Sequence, residues 1–364
     1  RPLLQLPTGG GQTVIAGQML HGLVQSGNNP WFTVHRKELL NQTSATLSAV
    51  GIDHSFIATK RRHDPDVAVQ LVGIQYAVRR LEDLIPPKAI IIDECHHAVA
   101  KNQANVFDHY PDALQIGLSA TPCRLDGKGL GDRFDTIVQG PTIRQLITEG
   151  YLSPFRYFAP STPDLSSVKT TAGDFNRAEV SEVMGNADLV GDIVDHYLEM
   201  AEGERGIVFG VDRAHSRSIA AEFQRRGISA AHLDGAMSDV ERDVLVDQFR
   251  KGKIKVMCNV DLFGEGFDVP GIVYCGLCRP TKSLSLFLQQ VGRALRIMEG
   301  KSFAIIADHA GNVFRHGMPD DDRVGIWFLD MHGEVIHQDV GSDQRFHGIQ
   351  DLWMVDNCIR PIEQ

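Results

Sequence analysis

At 364 residues the chain is long enough for two hydrophobic cores, and the length by itself suggests about two domains. Hydrophobic residues make up 43% and charged residues 23%, an ordinary globular balance. No apolar run approaches the roughly 20 residues needed to span a bilayer, and no signal peptide is visible, so no membrane role is expected. The formal net charge of −10 excludes a global basic footprint, which confines any nucleic-acid surface to a local groove.

In chain order, Leu3 to Leu6 reads as a strand that runs into Pro7-Thr8-Gly9-Gly10-Gly11-Gln12-Thr13. A helix follows, with Val14, Ile15, Met19, Leu20, Leu23 and Val24 near helical spacing. Strand, Gly-rich turn and helix form the context that a phosphate loop requires. Glycines let backbone N–H groups curl round phosphate oxygens, and the helix N-terminus adds positive potential. Pro30 to Val34 is the next strand, followed by HRKELLNQ, in which Arg36 and Lys37 have chemistry suited to phosphate. A solvated helix start is the plainer reading. Asp66 to Ile74 is a further strand candidate, with Gln75 at its end and Arg79 and Arg80 one turn on; an exposed, salt-bridged helix would look the same.

Ala89 to Ile92 is a short apolar run, the pattern of a buried strand in a parallel sheet. It ends in Asp93 and Glu94, followed by Cys95, His96 and His97. Ligands of open α/β sheets bind at that end of the strands. Adjacent acids there cost free energy unless a cation or reacting group compensates them. The pair suits Mg²⁺ on the first acid and a water activated by the second. A solvated strand end is the alternative. Leu114 to Leu118 is another strand, ending in Ser119-Ala120-Thr121-Pro122. Its hydroxyls suit hydrogen bonds to the acidic segment, or an ordinary turn before proline.

Residues 150–175 change character. Pro154, Pro160, Pro163 and clustered Ser and Thr predict an extended connector, and Asp174 to Tyr197 a helix. A strand over 206–210, a strand and turn over 230–235 and a strand over 255–260 then alternate with helices, one of them opened by a Ser238/Glu241 capping box. That alternation predicts a second parallel α/β lobe. GEGFD follows at 264–268. Cys275 and Cys278 form a lone CxxC, read as structural cysteines of a buried strand; with six scattered cysteines and no disulfide framework, the cytosol is the expected compartment. Ser283 to Ile297 is predicted as one helix. Gln289, Arg293 and Arg296 are spaced four and three apart and fall near one face, an array suited to a γ-phosphate reached from across a cleft. Salt bridges to the many acids are the alternative. Residues 302–308 close the sheet, and 309–364 reads as a small appendage or a truncated further domain.

Five segments in this order, PTGGGQT, DECHH, SATP, GEGFD and QQVGRALR, make the chain resemble the superfamily-2 DEAD/DEAH-like helicases and translocases, with DECHH in the place of the DEAD or DEAH box. The resemblance runs through most of the chain. It implies two tandem RecA-like parallel-sheet lobes of the P-loop NTPase fold: an ATP-binding lobe over 1–150, a connector over 151–175, a C-terminal lobe over 176–310 and an extension over 311–364. It implies ATP and Mg²⁺, with Pro7, Thr8, Gly9, Gly10, Gly11, Gln12, Thr13, Gly266 and Asp268 at the nucleotide, and Thr13 and Asp93 at the metal. Glu94 would activate water, Arg296 would act as the arginine finger, and Arg293 and Gln289 would contact nucleotide or the facing lobe. Arg124 would sense phosphate or hold its loop. His96, Ser119 and Thr121 would couple hydrolysis to movement, and Arg36 and Gln75 would touch the nucleic-acid backbone. The family has an adenine-contacting segment before the phosphate loop, so a longer natural chain with further domains or subunits is expected.

Gln12 departs from the family, which has Lys there. An amide supplies no charge to the β- and γ-phosphates, so stabilisation of the transferring phosphoryl group is weakened. An engineered trap, a degenerate ATPase and a sequence error each account for it. The expected function is ATP-driven movement on, or unwinding of, nucleic acid. The wording HRKELLNQ and DECHH looks closer to DNA-repair, phage and restriction-type helicases than to RNA-processing proteins, which puts DNA ahead of RNA. A catalytically weakened nucleic-acid-binding module and the motor subunit of a restriction system are the rival readings.

Overall fold

The computed structural model describes residues 1–35, 37–97, 101–122, 130–160, 162–171, 173–261, 269, 271–321 and 354–356. Two compact units are present, the first formed by Arg1–Thr142 and the second beginning at Ile143.

The first unit runs β1 (Pro2–Gln5), α1 (Gln12–Gln25), β2 (Pro30–Val34), α2 (Lys37–Ala49), β3 (Ser55–Ile57), β4 (Gln70–Gly73), α3 (Ile74–Ala77), β5 (Ala89–Ile92), α4 (Lys101–His109), β6 (Leu114–Ser119) and β7 (Thr136–Gln139). The strands form one sheet in the order β3-β4-β2-β5-β6-β1-β7, and every pairing is parallel. A parallel sheet is covered on both faces, so its central strands are apolar at every position rather than at alternate ones. Ile90 and Ile92 join one core cluster with Trp31, while Ile91 joins the other with Phe32 and Val34. That period-two split is the pleat. Close packing also dictates Gly117 in β6: a Cβ there would lie 2.6 Å from the Phe134 ring and 2.8 Å from the Cys95 sulfur.

The predicted strand over 66–74 is shorter than expected. The Gln70 amide bonds back to the carbonyls of Asp64 (2.9 Å) and Val67 (2.7 Å), which holds the preceding residues in turns. β4 then gives way directly to α3, so Gln75 is helical rather than at a strand end.

The second unit runs α5 (Ile143–Thr148), β8 (Phe155–Phe158), β9 (Thr170–Thr171), β10 (Asp174–Phe175), α6 (Arg177–Met184), α7 (Ala187–Ala201), β11 (Gly206–Phe209), α8 (Arg213–Arg225), β12 (Ala230–Leu233), α9 (Asp239–Arg250), β13 (Val256–Asn259), β14 (Tyr274–Leu277), α10 (Leu284–Ala294), β15 (Ala304–Asp308), α11 (Asn312–His316) and β16 (Met354–Asp356). Its sheet order is β12-β13-β11-β14-β15-β8-β16, parallel except for β16 on β8. The two RecA-like α/β lobes expected from the sequence are therefore present. Ser238 and Glu241 form the predicted capping box.

Three expectations are corrected here. Residues 151–175 are more than a connector, because Phe155 and Tyr157 are buried and β8 pairs with β15 inside the second sheet. The helix expected from Asp174 to Tyr197 is two helices; Asn176 and Asn186 each cap a new start, and Gly185 ends the first. The helix expected through Ile297 ends at Ala294. Cys275 and Cys278 are fully buried but belong to different core clusters, so they pack on opposite faces of the sheet. Among the described residues no helix is long and apolar enough to cross a membrane.

One part of this core is sensitive to acid. His309 is buried 5.3 Å from the ring of His196, and burial lowers it to about 3; burial lowers His215 to about 4. Both rings fold neutral, whereas in the unfolded chain they bind protons below pH about 6.5. Their stabilisation is thus present above that pH and is lost as pH falls toward the folded values. Urea unfolding midpoints are expected to drop steadily from pH 7 to 4.5, with a shallower slope for His309→Gln. Equal slopes for the two chains would refute the assignment.

Candidate functional site

In the first unit β6 lies between β5 and β1, and all three run the same way. Their carboxyl ends therefore open on one edge, where the DECHH segment, SATP and the Gly-rich turn emerge side by side. Ligands of open α/β sheets bind outside that edge.

The Gly-rich turn is formed as predicted. Gly9 and Gly11 adopt φ of 86° and 82°, left-handed values that suit glycine. Gly10 N donates to the Pro7 carbonyl (2.9 Å), and Gly11 caps α1, its carbonyl accepting from Val14 N and Ile15 N. Gln12 and Thr13 stand in the first turn of α1, an end whose N–H groups and helix dipole favour an anion. The Gln12 amide donates to the Leu6 carbonyl at 2.8 Å, so it is turned back toward the end of β1.

Leu6 also ties the turn to its neighbour, since its N–H donates to the Ser119 carbonyl (3.0 Å). Ser119 and Thr121 are completely buried. The Ser119 hydroxyl lies 3.1 Å from His96 Nδ1, donates to the Thr121 carbonyl (2.9 Å) and accepts from Thr121 N (3.2 Å). His96 Nδ1 is also 3.4 Å from the Glu94 carboxylate. The structure thus brings together Glu94, His96, Ser119 and Thr121. Asp93 N donates to the Thr33 carbonyl (3.2 Å), and Glu94 N donates to Asp93 Oδ1 (3.1 Å). Glu94 itself has φ of 48°, a left-handed backbone that costs a glutamate of order 1–3 kcal/mol. Cys95 between them is fully buried, and burial beside two acids pushes its thiol up, so it packs rather than reacts. The strain at Glu94 had no sequence signal, because it comes from the way the segment leaves β5.

Gln75 is exposed and donates to the His35 carbonyl at 2.5 Å, next to Arg36. Arg36, Arg124, Gly266 and Asp268 lie outside the described residues.

In the second unit Ser283 caps α10, its hydroxyl accepting from Leu286 N (3.2 Å). Gln289 and Arg293 lie on this helix and are buried, with 4% and 5% of their surface exposed; among the described residues Gln289 Nε2 has no hydrogen-bond partner. Arg296 lies beyond the helix, past the cap residue Leu295, and is held by an antiparallel bridge to Leu152; burial lowers its guanidinium to about 10. Gln289 and Arg293 therefore share a helix as predicted, whereas Arg296 does not. The helix stops because other groups take its last carbonyls, Ser153 N donating to Leu295 O at 2.7 Å.

A P-loop NTPase built of RecA-like lobes is the class that this fold and these strand-end motifs define. Residues 1–124 match the family model described as type III restriction enzyme, res subunit, and residues 189–298 match the helicase conserved C-terminal domain. A 51.5 kDa protein of a Lactococcus phage is 37% identical over 318 residues, covering 87% of this chain and 67% of its own length. IRC3 of Saccharomyces cerevisiae, named as an ATP-dependent helicase, is 34% identical over 330 residues, covering 85% of this chain and 48% of its own. The chain thus spans two thirds of the phage protein and about half of the yeast one. Among solved structures, a fragment of an HsdR subunit of a type I restriction enzyme from Vibrio vulnificus superposes with a TM-score of 0.70 at 21% identity, covering 88% of this chain and 62% of that one. The chain belongs to the superfamily-2 helicases.

The buried Ser119 network gives a direct test. Ser119→Ala removes the hydroxyl that accepts from Thr121 N and neighbours His96, and the loss of a buried hydrogen bond costs about 1 kcal/mol. A lowered urea midpoint is expected. A midpoint equal to that of the parent chain would show that the network carries no stability.

Proposed function

We propose that this chain is the motor part of a DNA helicase or translocase that binds ATP and Mg²⁺ and couples hydrolysis to movement on the strand. One observation carries the reading: the Gly-rich turn, DECHH and SATP emerge from three adjacent parallel strands and are joined through Leu6, Ser119 and His96. The first turn of α1 offers N–H groups to the phosphates. The Thr13 hydroxyl and the Asp93 carboxylate are hard oxygen donors of the kind Mg²⁺ takes, and the ion would offset phosphate charge. Glu94 orients the attacking water and takes its proton. Arg293 and Arg296 supply positive charge to the transferring phosphoryl group, with Gln289 Nε2 as a further donor. His96, Ser119 and Thr121 pass the state of the Glu94 site to the loops around it. Arg36 and Gln75 contact the strand backbone, and Gly266 and Asp268 complete the nucleotide contacts. The likeness to restriction-enzyme subunits supports DNA over RNA and further domains or subunits. Cysteines buried as thiols fit a cytosolic location.

A second reading, a nucleic-acid-binding module with weak turnover, is favoured by Gln12, whose amide is engaged by Leu6 and brings no charge. ATP turnover with and without single-stranded DNA separates the two. The chain as it stands is expected to hydrolyse ATP slowly, and Gln12→Lys to raise DNA-stimulated kcat by roughly 10²-fold or more, the scale on which one electrostatic donor acts. Glu94→Gln in that background is expected to abolish turnover while ATP binding persists. If Gln12→Lys is no faster at saturating ATP and Mg²⁺, the turn is not a phosphate loop.

A further inference from the structure

The turn that follows α10 is built with its polarity reversed. Ile297 and Met298 are exposed, at 54% and 44%, while the cation Lys301 is turned inward. A lysine normally keeps its ammonium in water, and apolar side chains are the ones withdrawn. Gly300, at φ of 81°, lets the chain double back, and Lys301 N donates to the Met298 carbonyl (3.1 Å). The side chain of Lys301 then reaches the end of α10. Its Nζ donates to the Ala294 carbonyl and, at 2.8 Å, to the Arg296 carbonyl. Ser153 N holds the carbonyl between them, and Leu152 bridges Arg296 from the same segment.

Helix ends leave carbonyls without intrahelical partners, and a cation beside them is favoured by the helix dipole. Water or a backbone turn would satisfy those carbonyls without burying a charge. Burial lowers the Lys301 ammonium to about 8, with the Cys275 thiol opposing the shift, so holding it there has a cost. What the arrangement adds is fixity at one place. Arg293 is the last basic residue of α10, and Arg296 has no helix to set its direction.

We propose that Lys301 is a positioning residue for Arg293 and Arg296, fixing the backbone from which both guanidiniums project by closing the Ala294 and Arg296 carbonyls. The inference rests on the proposed role of these arginines in phosphoryl transfer. Lys301 touches no reacting atom; it acts through the arginines, so its loss changes the reaction step and leaves nucleotide binding nearly unaltered.

The test compares Lys301→Met, Lys301→Gln, Arg293→Ala and Arg296→Ala in the full chain, both as it stands and with Gln12→Lys. Steady-state ATP hydrolysis is measured at saturating single-stranded DNA, alongside thermal unfolding. Lys301→Met keeps the aliphatic stem and is expected to lower kcat about tenfold, to leave KM for ATP within about twofold and to remain folded, with Lys301→Gln intermediate because one donor remains. Unchanged kcat in a folded Lys301→Met chain, while either arginine variant is inactive, overturns the proposal and leaves the arginine assignment standing. Active arginine variants overturn the arginine assignment itself. If Lys301→Met does not fold, Lys301→Gln decides: a folded chain with lowered kcat and unaltered KM supports the proposal, and one that is unfolded or fully active overturns it.

Discussion

The parallel pairing of β6 between β5 and β1 is the constraint on which the first unit depends. Parallel strands leave all their carboxyl ends on one edge, and that edge is where backbone donors and acceptors run out of ladder partners. Here the unpaired groups are taken up by the functional segments themselves. Leu6 N–H finds the Ser119 carbonyl, and the Ser119 hydroxyl spans His96 and Thr121. The same bonds that finish the sheet thus join the acidic segment to the Gly-rich turn. The hydrogen bonds of Ser119 therefore hold the ends of three strands and the segments that leave them in one arrangement.

Charge is handled differently in the two units. The first gathers adjacent carboxylates at a strand end, with Glu94 in a left-handed backbone, which is unfavourable in the absence of a cation or a reacting group. The second withdraws cations from water. Arg293 is buried, and burial lowers both Arg296 and Lys301. Each arrangement carries a desolvation cost of its own. Gln12 is the exception, a neutral amide at a position the family fills with a cation, and its bond to Leu6 shows that the turn holds its shape without that charge.

Much of the candidate site's local structure was legible in the residues because it depends on short-range pattern. A Gly-rich turn between strand and helix, two acids after an apolar run and hydroxyls before a proline depend on near neighbours in the chain. The second-unit arginines were legible as residue types but not as geometry. Periodicity placed Gln289, Arg293 and Arg296 on one helix, yet the helix ends at Ala294 because Lys301 and Ser153 take its last carbonyls. A window of sequence cannot see a donor that arrives from residue 153. The connector was misjudged for the same reason: its prolines were visible, but the partner that makes a strand of Phe155–Phe158 is β15, far along the chain.

The sequence by itself determined the fold class, the order of the motifs and the identity of the charged groups, since these follow from composition and short-range pattern. Only the tertiary structure decided the left-handed turn at Glu94, the burial of Ser119 and Thr121, the end of α10 and the inward course of Lys301. The burial of Ser119 and the end of α10 depend on bonds from distant segments, through His96 and Ser153, whereas Lys301 closes carbonyls five and seven residues back; all of these bonds gain strength from exclusion of water, which comes only once the chain has packed.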